Sequence, residues 1–167
     1  MILILAEKPS LARNITAAIG GMKKRDGYYE GAQYIVTWAF GHLFSLADIE
    51  DYNPAPQECR HWTMDNLPCF PKKYKFVLRK GSDKQVDSGV ARQFETIKAL
   101  CNRPDVDTIV NACDAGREGE LIFRLVYEMA GCRKPILRLW ISSMEDSAIR
   151  EGFSDLRPGA DYEALYQ

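Results

Sequence analysis

The feature that most constrains this chain is a pair of short apolar runs, each followed directly by a helical pattern. Residues 2–6 (ILILA) and 107–113 (DTIVNAC) have the length and the largely apolar character of strands that are buried on both faces. After the first run, Pro9 begins a segment with apolar residues at helical spacing, which ends at the glycines after Ile19. A second amphipathic segment follows residue 113. The sequence therefore predicts two β-α units.

Further strands and helices complete this alternating pattern. The strands are predicted at 34–40, 74–78 and 136–140, and the helices at 90–100 and 144–153. Strands that alternate with helices need crossover connections, so we expect an α/β fold with a mainly parallel central sheet flanked by helices. Residues 50–73 hold four of the eight prolines and show no periodicity. They predict a long loop of the kind that is often functional.

Size and charge exclude several classes of protein. A chain of 167 residues, 46% hydrophobic and 27% charged, suits one globular domain with a single core. The formal net charge of −1 and a pI of about 6.1 argue against a clamp that binds nucleic acid by bulk charge, because such domains usually have a pI above about 9. Basic clusters at 23–25, 71–76 and 78–84 are local, and such runs are usually solvated surface.

The cysteines and the N-terminal residues indicate a reducing compartment. Five cysteines, an odd number without a C-x-x-C pair, favour neither a disulfide framework nor a zinc ribbon. A zinc site at His61 with Cys59 and Cys69 is a weak alternative, since only the ligand spacing supports it. The chain has no basic leader and no apolar run near the roughly 18 residues that span a bilayer. We therefore expect a cytoplasmic protein with no membrane partner.

Acidic residues stand where the two main apolar runs end. Glu7 follows the first run and Asp114 the second, and ligands of open parallel sheets bind outside the carboxyl ends of the strands. Neighbouring strands would place both carboxylates in one crevice. Glu118 shares a helical stripe with Ile122, Leu125 and Met129. We predict that this stripe is buried and directs Glu118 toward the strand ends, whereas Glu120, about 200° around the helix, is solvated or supports the site from behind.

Helix capping is the competing interpretation of these acids. Carboxylates near a helix N-terminus gain a few tenths of a kcal/mol from the helix dipole, and Asp114 could be a cap. A capping box, however, needs Glu or Gln three residues later, where Arg117 stands, and capping leaves Glu7 unexplained. Three converging carboxylates repel one another unless a cation lies between them, and oxygen ligands favour Mg²⁺. Lys8 and Arg117 beside such a site suggest phosphoryl chemistry, although Lys8 could form a plain ion pair.

Several segments together resemble the Toprim domain of type IA DNA topoisomerases, the topoisomerase III branch in particular. The two main segments are LAEKPSLARNI (5–15) and DAGREGELI (114–122). Further matches in the same order are TWAFGHLFSL (37–46), Trp62 with LPCFP (67–71), and RLWISSM (138–144). They cover nearly the whole chain, and several motifs in register are more specific than one acidic cluster. The resemblance implies a Rossmann-like Toprim fold.

The resemblance also implies a magnesium site. Glu7, Asp114 and Glu118 match the metal ligands of the family, whose pattern after the later strand is Asp-x-Asp-x-Glu. Gly116 stands in place of the middle acid. Mg²⁺ needs few carboxylates, because it keeps water and phosphate ligands. One Mg²⁺ site is therefore expected, whereas a second ion would lack a ligand.

The implied activity is the cleavage and rejoining of one DNA strand through a 5′-phosphotyrosine intermediate, without ATP. Glu7, Lys8 and Glu118 would be the catalytic residues: the lysine contacts the scissile phosphate, and the two glutamates move protons between the tyrosine and the 3′ oxygen. Arg117 and His42 match positions that line the cleft, where they would contact a single-stranded segment of DNA.

The resemblance implies a domain organisation as well. We expect the Toprim domain at residues 1–155 and the start of a linker to a further topoisomerase domain at 156–167. None of the eight tyrosines precedes a proline, whereas the family nucleophile lies in a Tyr-Pro-Arg-Thr type motif. The chain is thus expected to be an N-terminal fragment, inactive alone, that docks the remaining domains through residues 50–73 and works at a bacterial nucleoid. Alternatives are a Toprim-type nuclease or primase domain and a non-catalytic nucleotide-binding module.

Overall fold

The computed structural model describes residues 1–48, 51–52, 64–65, 71–81 and 85–166. Its strands are β1 (Ile2–Ala6), β2 (Lys23–Lys24), β3 (Tyr28–Glu30), β4 (Tyr34–Trp38), β5 (Phe44–Leu46), β6 (Phe76–Leu78), β7 (Thr108–Ala112), β8 (Ile136–Arg138) and β9 (Arg157–Pro158). Its helices are α1 (Pro9–Ile19), α2 (Ser88–Cys101), α3 (Arg117–Met129), α4 (Asp146–Ser154) and α5 (Glu163–Tyr166), with a 3-10 helix at Gly159–Tyr162 before α5. No helix in these ranges is long and apolar enough to cross a bilayer.

The central sheet is parallel in its middle and antiparallel at both edges. Its seven strands lie in the order β2-β3-β4-β1-β7-β8-β9. The β1 strand pairs in parallel with β4 on one side and with β7 on the other, and β7 pairs in parallel with β8. The predicted α/β fold with a mainly parallel central sheet is therefore confirmed. A separate antiparallel pair, β5 with β6, lies outside this sheet.

Helices cover both faces of the sheet, which explains the continuous apolar runs. Successive strand residues point to opposite faces, so Leu3 and Leu5 pack into one core cluster, which includes apolar side chains of α2 and α3. Ile4 packs into the other cluster, with Leu11 and Ile15 of α1 and apolar residues of α4. A strand with both faces buried has no solvent side on which polar residues would alternate.

The edges of the sheet were not predicted from the sequence. The strands β2, β3 and β9 are each two or three residues long. They consist of lysine, tyrosine, glutamate, arginine and proline, so they lack the apolar pattern of a buried strand. Residues 156–166, which fall in the predicted linker, fold back onto the domain: Pro158 pairs with Leu137, and Tyr162 stacks on Trp140 at 5.1 Å. The predicted loop 50–73 lies largely outside the described residues, as does the weak zinc alternative at His61.

Substitution at the centre of the sheet tests this arrangement. Ile4 is fully buried between β4 and β7. We expect Ile4→Ala to lower the free energy of unfolding by about 2–5 kcal/mol, because the lost methyl groups leave a cavity. Chemical denaturation followed by circular dichroism measures this change. Leu46→Ala, at an exposed position, is the control and should cost less than about 1 kcal/mol. Equal losses in the two variants would contradict the described core.

Candidate metal and phosphate site

The parallel pairing of β1 with β7 brings two acidic residues to one edge of the sheet, the edge formed by the carboxyl ends of its parallel strands. The register pairs Ala6 with Ala112, so Glu7 and Asp114 emerge side by side beyond the strand ends. The backbone N–H of Asp114 donates a hydrogen bond to Oε2 of Glu7, at 3.1 Å. Lys8 Nζ donates to Oδ2 of Asp114, also at 3.1 Å. The two strands are neighbours, so the condition for a shared crevice is met, and Lys8 forms an ion pair with one of the two carboxylates.

Glu118 reaches this edge from the solvent side. Its side chain is 79% exposed, and its Oε1 lies 3.4 Å from Nε2 of His42. The loop that carries His42 is tied to the same edge, because the N–H of Gly41 donates to the carbonyl oxygen of Glu7. Arg117 is exposed at the first residue of α3. Five of the six predicted site residues thus form two contacting groups, Glu7–Asp114–Lys8 and His42–Glu118, and Arg117 belongs to neither.

The predicted buried stripe on α3 is wrong at both of its ends. Glu118 and Met129 are exposed, whereas Glu120 is only 1% exposed and packs toward the sheet. Of the two alternatives predicted for Glu120, solvation is therefore wrong, and the buried position agrees with a residue that supports the site from behind. The reason is physical: a buried arginine and an asparagine lie beneath the first turn of α3, and they give Glu120 polar partners that an apolar stripe cannot anticipate.

The donor chemistry of this edge fits a hard divalent cation, but the side chains do not form a finished coordination sphere. Within the described ranges, no three His, Cys, Asp or Glu side chains are grouped so that they could hold a metal ion. Lys8 engages Asp114, and His42 engages Glu118. A partly exposed ion pair such as Lys8–Asp114 contributes about 0–1 kcal/mol. Displacing Lys8 from Asp114 would therefore cost a divalent ion little free energy.

The turn that carries Asp114 depends on two glycines. Gly116 is the N-cap of α3 with φ 151°, a conformation that favours glycine, and no side chain caps the helix. The capping interpretation of Asp114 is therefore not supported. Gly119 lies against the peptide group of Asp114: a Cβ there would overlap the Asp114 carbonyl oxygen and lie 3.0 Å from the carbonyl carbon. Only glycine lets the first turn of α3 approach this closely.

A buried polar cluster lies beneath this turn. Arg138, at 0% exposure, donates from Nη1 to the carbonyl oxygen of Cys113 at 2.7 Å and from Nη2 to that of Asp114 at 2.8 Å. Its Nε lies 3.3 Å from Oε2 of Glu120, and Asn111 Nδ2 donates to the same oxygen at 2.8 Å. Burial lowers the pKa of Arg138, and the charge of Glu120 opposes that shift.

This cluster was not predicted from the sequence. Its signals were an arginine inside the apolar segment 136–140 and an asparagine inside 107–113, because polar side chains in buried strands need partners. Cys113, between Asn111 and Asp114, is fully packed, and burial raises the pKa of its thiol. A neutral, buried thiol is a poor nucleophile and a poor metal ligand. The chemistry of this edge therefore depends on carboxylates, a lysine and a histidine.

A cavity of about 300 Å³ opens beside Asp114 on the α1 face of the sheet. Its lining residues are Leu11, Ala112, Cys113, Asp114, Ala115, Ile141, Ser142, Ser143 and Met144. Apart from Asp114, its polar side chains are the hydroxyls of Ser142 and Ser143, which can donate to a phosphate or sugar oxygen. The edge thus offers a carboxylate and neutral donors next to each other.

Comparisons with known proteins agree on one family. The sequence model of the Toprim domain matches residues 2–144. A protein named DNA topoisomerase 3 from Bacillus subtilis (strain 168) is 49% identical over 163 residues, which are 98% of this chain and 21% of that protein. Another DNA topoisomerase 3, from Staphylococcus epidermidis (strain ATCC 12228 / FDA PCI 1200), is 48% identical over 165 residues, 99% of this chain and 22% of that protein. The chain thus spans about a fifth of these relatives.

A solved structure has the same fold. Full-length topoisomerase I from Thermotoga maritima matches 93% of this chain and 21% of its own, with a TM-score of 0.54 and 20% sequence identity. At this level of identity the likeness concerns the fold alone. It agrees with the mainly parallel sheet and flanking helices described above.

Substitution of Gly119 tests the close packing of the acid turn. Alanine normally stabilises a helix by up to about 1 kcal/mol relative to glycine, but at Gly119 its Cβ would overlap the Asp114 carbonyl. We expect Gly119→Ala to lower the free energy of unfolding by about 2 kcal/mol or more. Gly89→Ala is the matched control, since Gly89 also lies in the first turn of a helix and its added Cβ would meet only a side-chain oxygen of Asp87. Equal stability of the two variants would disprove this packing.

Proposed function

The chain belongs to the Toprim domain family, and from this premise we propose that it is the metal- and phosphate-binding part of a type IA DNA topoisomerase of the topoisomerase III type. The observation that carries the proposal is the meeting of Glu7, Asp114 and Lys8 where β1 and β7 end. Carboxylates and an ammonium group side by side suit a metal-assisted reaction at a phosphate. The two DNA topoisomerase 3 relatives support the same assignment.

Glu7, Asp114 and Glu118 would hold one Mg²⁺. This ion would neutralise negative charge on the phosphate oxygens of the DNA backbone. Glu118 must turn away from His42 to join the other two carboxylates, and its 79% exposure leaves it free to rotate. Gly116 supplies no carboxylate, so the proposed site holds a single ion whose remaining ligands are water and phosphate.

Lys8 would contact the scissile phosphate. Its ammonium group forms an ion pair with Asp114 and is partly exposed. It could therefore leave the Asp114 carboxylate and bind an oxygen of a nearby phosphate. Glu7 and Glu118 would carry protons between the attacking tyrosine and the 3′ oxygen, because both are placed at this edge. Arg117 and His42 would contact the single-stranded segment of DNA on the solvent side of α3.

The nucleophilic tyrosine would come from the remaining domains of the same topoisomerase chain. The relatives are about five times as long as this chain, and none of its eight tyrosines is followed by proline. The complete enzyme would cleave one DNA strand by transesterification and hold its 5′ phosphate on the tyrosine. The 3′ oxygen would then attack this phosphate, release the tyrosine and reseal the strand without ATP. We place the Toprim domain at residues 1–155 and the approach to the next domain at 156–167. This assignment also implies that the protein acts on DNA in a bacterial cytoplasm.

Calorimetric titration with Mg²⁺ tests the proposed metal site. We expect Glu7→Ala and Asp114→Ala each to weaken Mg²⁺ binding at least about tenfold. Each removes a carboxylate that would bind the ion directly, and removal of a residue that only orients such a ligand already costs about 10- to 100-fold. Asp107→Ala is the matched control: Asp107 immediately precedes β7, at the end remote from Asp114, and forms an ion pair with the N-terminus. It should leave Mg²⁺ affinity unchanged. Unchanged affinity in both test variants would overturn the metal assignment.

Incubation with supercoiled plasmid tests the proposed division of labour. We expect this chain with Mg²⁺ to leave plasmid topology unchanged, because the tyrosine that forms the covalent link is missing. Gel electrophoresis before and after protein digestion measures relaxation, nicking and covalent attachment. Nicked DNA without attached protein would favour the alternative of a Toprim-type nuclease. Relaxation by this chain alone would contradict the proposal that the nucleophile lies in another domain.

A further inference from the structure

We propose that Arg138 is a positioning residue, which holds the peptide groups around Asp114 so that the Asp114 carboxylate keeps its place beside Glu7. This inference rests on the proposed function, because it assigns Arg138 a role toward the same metal site. Arg138 does not reach solvent, so it cannot contact metal or DNA directly. It acts through the backbone of the β7–α3 turn.

The guanidinium of Arg138 pairs with carbonyl groups that lie past the strand ladder. The last register pair between β7 and β8 is Asn111 with Arg138, and the last between β1 and β7 is Ala6 with Ala112. The carbonyl groups of Cys113 and Asp114 follow these pairs, and Arg138 donates to both, at 2.7 and 2.8 Å. A planar fork of several donors can hold two such carbonyls at once, which an ammonium group cannot reproduce.

Asn111 and Glu120 lie against this fork. Arg138 Nη1 donates to the carbonyl oxygen of Asn111 at 3.0 Å and to its Oδ1 at 3.3 Å, whereas the contact of Nε with Glu120 is ionic and not a hydrogen bond. The carboxylate of Glu120 lies 3.3 Å from Arg138 Nε and accepts from Arg124 Nε at 2.9 Å on its other oxygen. Asn111 donates to Glu120 and, through Oδ1, accepts from the N–H of Cys113 at 3.0 Å. The cluster therefore holds both the N–H and the C=O of Cys113, the residue immediately before Asp114.

A role limited to stability is a poor explanation of this arrangement. A buried ion pair is seldom more stabilising than apolar side chains of the same volume, because both charges lose their hydration. The two shortest Arg138 hydrogen bonds, at 2.7 and 2.8 Å, instead go to the turn that carries a proposed ligand, whereas longer ones go to the carbonyl groups of Asn111 and Leu139. Partners that orient a metal ligand typically change metal affinity about 10–100-fold when they are removed. The geometry thus favours positioning of Asp114 as the consequence of this cluster.

The test compares two variants of Arg138 with a control. Arg138→Lys keeps the positive charge beside Glu120 but loses the fork, and the double variant Arg138→Met with Glu120→Gln removes both buried charges together. Arg103→Met is the control. Arg103 forms ion pairs with Glu30 and Asp105 and lies beside Met1, at the end of β1 remote from Asp114. Amide hydrogen exchange of residues 113–116 without metal, the midpoint of thermal unfolding and Mg²⁺ affinity are measured on each.

We expect both Arg138 variants to exchange the amides of residues 113–116 at least about tenfold faster and to bind Mg²⁺ about tenfold more weakly. Arg103→Met should lower the unfolding midpoint without either effect. Wild-type exchange rates and Mg²⁺ affinity in a folded Arg138 variant would overturn the inference, and so would loss of cooperative unfolding in both variants, which would assign Arg138 to folding alone. If the wild-type chain binds no Mg²⁺, the proposed function fails, and the metal-free exchange still decides whether Arg138 holds the turn.

Discussion

The parallel pairing of β1 with β7 is the interaction on which the rest of this structure depends. It brings together Glu7 and Asp114, which are 107 residues apart in the sequence, and no local preference could bring these carboxylates together. Burial on both faces holds the two strands in one register, because a slip by one residue would exchange the faces of every side chain. The backbone positions of Glu7 and Asp114 are therefore as well defined as the hydrophobic core beneath them.

The exposed acids and the buried polar cluster divide the work of the site between them. Lys8 and His42 contact carboxylates that are open to solvent, where ion pairs are weak and easily exchanged. Arg138, Glu120 and Asn111 are buried and hydrogen-bonded, where removing one partner leaves a charge or a carbonyl group unsatisfied. Exposed carboxylates on a firmly held backbone are what the proposed exchange between a side-chain cation, a metal ion and a phosphate would require.

Sequence reasoning succeeded where one residue pattern decides the structure and failed where distant residues decide it together. The apolar runs were enough to predict β1, β7 and the crossover helices, and the acids at their ends followed from strand direction. The stripe through Glu118 failed because apolar periodicity cannot anticipate a glutamate that packs inward against Arg138. Asn111 and Arg138 lie 27 residues apart, so only the pairing of β7 with β8 reveals their contact. The short polar edge strands carry no periodic signal at all.

The backbone at Gly116 gives a physical reason to expect one metal ion rather than two. Its φ of 151° is a conformation that side chains other than glycine rarely adopt, and forcing an aspartate into it costs on the order of 1–3 kcal/mol. A middle acid at this position would need a different path of the chain between Asp114 and α3. That path is fixed by the close approach of Gly119 to Asp114 and by the Arg138 hydrogen bonds to the same turn. The missing carboxylate and the conformation of the turn therefore belong together, and a second cation would need ligands from the phosphate or from outside this chain.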